Sequence, residues 1–179
     1  MSAQLNNTSY VLLGFIGIGP RSGYDIKRVA DHSTRFFWQI SYGQIYPELK
    51  RLTELGLVEL EADPRGGRAR NLYSLTERGR QTLQEWLAHA PAGTFEMRDE
   101  LLLKLFFAGL APRDVQLEIL SQLRLREEAM LAELRAIEPH AREMAKQKAA
   151  LGTYVLEGGL RIHQAYLDHI KELERRLIS

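Results

Sequence analysis

The sequence predicts a mainly α protein with a single short β-hairpin. Three observations carry this. Short segments with helical periodicity crowd the first 55 residues. Two alternating segments flank a Gly-Gly turn between Leu57 and Leu75. Beyond Pro112, two long amphipathic stretches reach almost to the end of the 179-residue chain.

Thr8 to Ile16 reads as a short apolar helix ended by Gly17, Gly19 and Pro20. Ser22 caps a second helix running to Ala30, and Asp25, three residues on, comes close to a capping box. Phe36-Phe37-Trp38 follows as an aromatic cluster. In the third helix Ile45, Leu49 and Leu52 recur at i, i+4, i+7, one helical face, with Leu55 extending it. Ser41 is its N-cap and Gly56 its stop. Pro47 removes one hydrogen bond, close to the first turn, whose donors lack helical partners anyway. The opposite face carries Tyr42, Gln44, Glu48, Lys50, Arg51 and Glu54.

Val58 and Leu60 alternate with Glu59 and Glu61, the period of a half-buried strand. Asp63-Pro64-Arg65-Gly66-Gly67-Arg68-Ala69-Arg70 forms the tip, and its glycines supply positive-φ turn positions. Tyr73 and Leu75 alternate on the return strand. Thr76 is an N-cap for a helix over Gln81–Leu87, with Trp86 as a core anchor. This order of elements is a winged helix-turn-helix of about 90 residues, an ordinary domain size. Pro91-Ala92-Gly93 marks the boundary, giving a DNA-binding domain over 1–90 and a helical dimerisation domain over 91–179.

The third helix and the hairpin point to duplex DNA. The first turn of a reader helix meets base edges, and the amide of Gln44 suits adenine. Lys50 and Arg51 lie nearer the phosphates. Residues 65–80 hold five arginines (65, 68, 70, 78, 80) against one acid, Glu77. An isolated charge run is usually a solvated surface. This one lies on a hairpin directly after a helix with an open polar face, which favours DNA.

In the second half, Asp99–Phe107 is a short helix too apolar to be exposed, stopped by Gly109. Pro112 opens a long helix, with Asp114 placed for its dipole. Leu120, Leu123, Met130, Leu134 and Ile137 form its stripe, Glu127 interrupts it, and Pro139 ends or bends it. A last helix runs from about Ala149 to Leu177 with Leu151, Val155, Ile162, Tyr166, Ile170, Leu173 and Leu177 on one face. Gly158-Gly159 costs it ~2 kcal/mol against two alanines, which marks a kink or a close helix contact. Two such helices have more apolar surface than a small winged domain covers, so a second copy is the expected partner. Leu120, Leu123, Met130, Leu134, Val155, Ile162, Tyr166, Ile170 and Leu173 are the candidate dimerisation residues. The competing reading is an intramolecular hairpin with no role in dimerisation.

The run Ser41-x-Gly43-x-Ile45-Tyr46-Pro47-x-Leu49-x-x-Leu52-x-x-x-Gly56-Leu57-Val58, then Arg68…Tyr73-x-Leu75-Thr76-x-x-Gly79, resembles the PadR family of bacterial transcriptional regulators. Ser22-Gly23-Tyr24-Asp25-Ile26 matches the same family, and the helical second half resembles its larger, AphA-like subgroup. The resemblance implies a homodimer that binds an inverted-repeat operator, usually as a repressor, and in some members is released by a small aromatic or hydrophobic compound. It also implies that Tyr46 and the Lys50 region touch the DNA backbone, supported by the wing arginines. The candidate DNA-binding set is therefore Ser41, Tyr42, Gln44, Tyr46, Lys50, Arg51, Arg65, Arg68 and Arg70. Where many members carry a tryptophan in the last helix, this chain has His169.

Phe36, Phe37 and Trp38 are read either as a hydrophobic plug or as part of an effector pocket completed by Phe95, Phe106 or Phe107, since flat ligands suit stacking surfaces. Composition narrows the remaining classes. There is no cysteine, hence no disulfide framework or thiolate metal site. No secretory pattern and no membrane-length apolar run is visible, which suits a soluble cytoplasmic protein. Residues 1–90 carry 11 basic and 9 acidic side chains and residues 91–179 carry 13 and 14, so DNA binding has to come from placed charges. His32, His89, His140, His163 and His169 show no metal-ligand spacing, no catalytic constellation appears, and neither a metal nor a cofactor is expected. The alternative is a ligand-binding dimer whose winged domain mediates protein–protein contacts; such a protein has no need of Arg65, Arg68 and Arg70 beside an open helix face.

Overall fold

Asn6 and Ser9 set the start of the first helix by capping each other's backbone: Ser9 N–H donates to Asn6 Oδ1 at 3.0 Å and Asn6 N–H to Ser9 Oγ at 3.1 Å. The computed structural model describes residues 5–19, 22–63, 70–89, 93, 97–145 and 150–178, and the chain divides into two units, Met1–Gly93 and Thr94–Ser179.

The first unit is built around α1 (Asn7–Ile18), which packs against α2 (Gly23–Asp31), α3 (Tyr42–Glu54), α4 (Glu77–His89) and the second strand of the hairpin. Leu12, Leu13, Ile26, Ile45, Leu49, Leu52 and Val58 are fully buried. α1 runs two residues past its expected end at Ile16. Gly17 does not stop it but makes room: a Cβ there would lie 3.2 Å from a methyl of Leu75. A Schellman pair closes α3. Leu57 N–H donates to the Leu52 carbonyl at 3.0 Å and Gly56 N–H to that of Thr53 at 2.9 Å, with Gly56 at φ 65°.

Strands β1 (Val58–Asp63) and β2 (Arg70–Leu75) pair antiparallel, with Val58 opposite Leu75 and Leu60 opposite Tyr73. Val58, Tyr73 and Leu75 are buried, but Leu60, expected on the same inner face, is 47% exposed because the hairpin outruns the core toward its tip. α4 begins four residues earlier than expected. The Thr76 hydroxyl accepts from Gly79 N–H at 3.0 Å and donates to the Gly56 carbonyl at 2.8 Å, tying the start of α4 to the end of α3. Trp86 stacks on Tyr10 of α1 with ring centroids 4.7 Å apart.

The second unit is an antiparallel hairpin of α6 (Arg113–Ala145) and α7 (Ala150–Ile178), with α5 (Glu100–Phe107) packed at its open end. Leu101, Leu102 and Leu105 of α5 pack on Leu120, Leu123 and Ile170. Leu103, Phe106 and Phe107, with Leu110 after them, are exposed, so α5 is covered on one face only, contrary to expectation. Pro139 neither ends α6 nor leaves it short: the helix continues to Ala145, although proline has no N–H for the Arg135 carbonyl.

The apolar stripes expected to meet a second copy divide in two. Leu120, Leu123, Leu134 and Ile170 are buried inside the α6–α7 hairpin, joined by Leu131, Leu156 and Leu167. Met130 is half-buried, and so is Leu173, which packs on the Leu120–Leu123–Ile170 cluster. Val155, Ile162 and Tyr166 are exposed, as are Leu151 and Tyr154. Glu127 does not interrupt the packing; it is only 3% exposed and accepts hydrogen bonds from His163 at 2.6 Å and Arg126 at 3.0 Å. Arg126 also reaches Asp99 at 2.7 Å, and Asp99 caps α5 by accepting from Leu101 and Leu102 N–H. A charged chain thus joins α5, α6 and α7. Among the described residues, no helix is long and apolar enough to cross a membrane, and no group of three or more His, Asp or Glu could hold a metal ion.

The hydrogen bond from Arg126 holds the Asp99 carboxyl below the ordinary aspartate range, helped by the two backbone N–H groups and opposed by desolvation. A depressed folded-state pKa contributes stability that is complete above the unfolded value of about 3.9 and is lost as pH falls through the folded one. Asp99→Asn is therefore expected to flatten the fall in urea midpoint below about pH 4. Parallel acid limbs for the variant and the wild type would show that the pair does not couple to folding.

Candidate nucleic-acid interface

At 100° per residue, Tyr42, Tyr46 and Lys50 fall on one line along α3, four residues apart. All three are exposed. The rings of Tyr42 and Tyr46 stack at 6.1 Å, and the Lys27 ammonium of α2 lies 5.8 Å from the Tyr42 centroid, a cation–π contact across the two helices. Gly23 at the start of α2 lets Tyr46 close: a Cβ there would sit 2.6 Å from the Tyr46 ring. Burial pushes the Tyr73 phenol on β2 up, and nearby Tyr46 adds to the shift. The Lys50 side chain is 80% exposed, with Glu54 3.9 Å away.

Three residues of the candidate set, Ser41, Gln44 and Arg51, are already engaged within the fold. The side-chain oxygen of Gln44 accepts from Ser41 N–H at 2.9 Å and Ser41 Oγ at 3.1 Å. That capping box leaves the Gln44 amino group as its free donor. Arg51 is paired with Glu48 at 2.8 Å. Glu48 was expected on the open polar face; it is instead 8% exposed, because position 48 lies next to Leu52 at the edge of the buried side, about 40° round the helix from it.

The arginine run also divides. Arg78 donates to the Leu55 carbonyl at 3.1 Å, and Arg80 to the Leu75 carbonyl at 3.3 Å while pairing with Glu77 at 3.5 Å. Both fasten backbone ends. Arg65 and Arg68 lie outside the described residues, and Arg70 opens β2 opposite Asp63. A basic contribution from the wing therefore rests on the tip.

The aromatic cluster is spread over both units. Phe36 ends a short 3-10 turn with the Arg35 guanidinium over its ring, and Phe37 and Trp38 are exposed. Phe106 and Phe107 meet edge to face at 5.0 Å in the second unit, and Phe95 lies outside the described residues. Sequence reasoning missed Lys27, Ser9 and the Asp99–Arg126–Glu127–His163 chain. A lysine or serine in an amphipathic helix carries no local sign of its long-range partner.

Residues 12–85 match the PadR-like family of transcriptional regulators, and residues 97–177 match the C-terminal region of the virulence activator alpha family. The negative transcriptional regulator PadR of Bacillus subtilis is 31% identical over 126 residues, covering 70% of this chain and 69% of that protein. The crystal structure of B. subtilis PadR in complex with operator DNA superposes with a TM-score of 0.83 at 26% identity, covering 96% of this chain and 99% of the other. The complex of the same protein with p-coumaric acid gives 0.76 at 27%, covering 96% and 98%.

Proposed function

The chain belongs to the PadR-like family of transcriptional regulators, and from that premise we propose that it acts in the cytoplasm as a homodimeric repressor whose paired reader helices bind an inverted-repeat operator. The exposed line Tyr42–Tyr46–Lys50, beside a hairpin tipped by Arg65, Arg68 and Arg70, carries this reading. A relative of the same fold has been crystallised on operator DNA. Two-fold symmetry would place the two reader helices on half-sites about one helical turn, or a multiple of it, apart. Domain roles follow: 1–90 for DNA and 91–179 for dimerisation, through the exposed stripe Val155, Ile162 and Tyr166.

Selection from random duplex DNA with the purified protein tests this. The expected product is an enriched palindrome whose binding falls steeply with salt. Arg68→Ala should weaken all duplexes alike and reduce the log–log salt slope by about 0.9. A pool not enriched above an albumin control sinks the regulator reading.

The effector is proposed to be a small planar aromatic acid or lipophilic compound, supported by the p-coumaric acid complex of the relative and by the exposed Phe37 and Trp38 just before α3. It must bind the DNA-incompetent state better, by the same factor by which it lowers operator affinity. In a Trp86→Phe background, Trp38 quenching and operator release should share one midpoint. Quenching without release would leave a binding site but no switch.

A further inference from the structure

We propose that Glu48 is a positioning residue for the reader helix, anchoring α3 to α1 through Ser9 and keeping Arg51 off the DNA; this rests on the DNA-binding reading above. Helical spacing places Glu48 three residues after Ile45 and four before Leu52, at the edge of the stripe that buries Ile45, Leu49 and Leu52 completely, and Glu48 is itself only 8% exposed. A carboxylate there needs partners, because a buried charge without them is strongly disfavoured. It has two. Ser9 Oγ, itself fully buried, donates to Glu48 Oε1 at 2.5 Å, and Arg51 Nη1 donates to the same oxygen at 2.8 Å. Ser9 is fixed in turn, since its hydroxyl accepts the Asn6 N–H that starts α1. The first turn of α1 and the middle of α3 are therefore linked by a path with no exposed hydroxyl or carboxylate.

This linkage separates two cations that are adjacent in sequence. Lys50 continues the Tyr42–Tyr46 line with its side chain 80% exposed and the exposed Glu54 3.9 Å away, whereas Arg51 lies about 100° further round and turns back to Glu48. The structure thus assigns phosphate contact to Lys50 and alignment to Arg51. The Glu48 carboxylate fixes the roll of α3 about its own axis. Roll decides which side chains point into a groove, so base discrimination, more than total affinity, depends on it.

The test uses the full-length chain, its selected operator and a random duplex, with affinity measured against salt. Lys50→Met is expected to lower the slope by about 0.9, one phosphate contact, and Arg51→Met to leave it unchanged. Glu48→Leu matches the buried volume and removes the carboxylate that pairs with Arg51. It is expected to steepen the random-duplex slope by about 0.9 and to reduce operator-to-random discrimination by about tenfold. Should that variant not fold, Ser9→Ala removes the α1 anchor, together with the acceptor for Asn6 N–H, while leaving the Glu48–Arg51 pair, and is expected to lower discrimination by a similar factor at an unchanged slope. A slope that drops for Arg51→Met as for Lys50→Met overturns the proposal, as does wild-type discrimination in the folded Glu48→Leu or Ser9→Ala chain. A wild-type chain that binds no duplex overturns the DNA reading and this proposal together, so the two failures are distinguishable.

Discussion

Gly79→Ala is expected to destabilise the first unit by at least about 3 kcal/mol and to lower its thermal midpoint by more than about 10 °C. Helix propensity alone predicts the opposite sign, since alanine is about 1 kcal/mol better than glycine inside a helix. The contact decides. A Cβ at position 79 would lie 1.9 Å from the Leu57 carbonyl oxygen and 2.9 Å from its carbon, both backbone atoms, so no side chain can swing aside. The same carbonyl accepts Thr76 N–H at 3.1 Å, and Leu57 N–H closes α3. Relieving the clash means opening the junction where the reader helix, the hairpin and α4 meet. Gly14→Ala in α1 is the control: a Cβ there meets nothing within 4 Å, and up to about 1 kcal/mol of stabilisation is expected. Calorimetry showing Gly79→Ala melting at or above the wild type would refute the close-approach argument.

The features legible in the sequence are the local ones. Ser22 with Asp25, Ser41 before α3 and Gly56 after it act within three or four residues, and each stands where its type predicts. The order of elements followed from periodicity and from the Gly-Gly hairpin. The partners of buried charges were not legible. Glu48 meets Ser9 from 39 residues away and Glu127 meets His163 from 36, and an acid inside an apolar stripe looks like a break in the pattern until its partner is seen. Pro139 was read as ending or bending α6 because proline removes a hydrogen bond; it does not end it, since one missing bond does not stop a helix packed along its length on α7. In the candidate interface, the sequence pointed to α3 and to the tip arginines, of which Arg65 and Arg68 lie outside the described residues. It did not separate Arg78 and Arg80, which hold backbone carbonyls, from the tip arginines, nor did it reveal that Gln44 caps its own helix.

The second large effect is expected at the surface of α7. For the proposed homodimer, Val155→Glu with Ile162→Glu should leave a monomer at micromolar concentration and lower operator affinity on the order of a thousandfold, the loss that follows when two linked half-site contacts become one. The sequence showed an apolar stripe along this helix but could not say which part closes on α6. Leu156, Leu167 and Ile170 are buried in the hairpin, while Leu151, Val155, Ile162 and Tyr166 stay exposed on a face roughly a third of a turn away. Gly158 falls within the exposed stripe and has nothing within 4 Å of where a Cβ would stand, room for a second helix to approach closely. Contiguous apolar patches of this kind are uncommon on monomers. Both substituted positions are exposed in the single chain, so the hairpin should keep its helicity. Sedimentation equilibrium and operator titration are the paired measurements. A variant that stays dimeric would place the interface elsewhere, and a monomer with undiminished operator affinity would remove the inverted repeat from the mechanism.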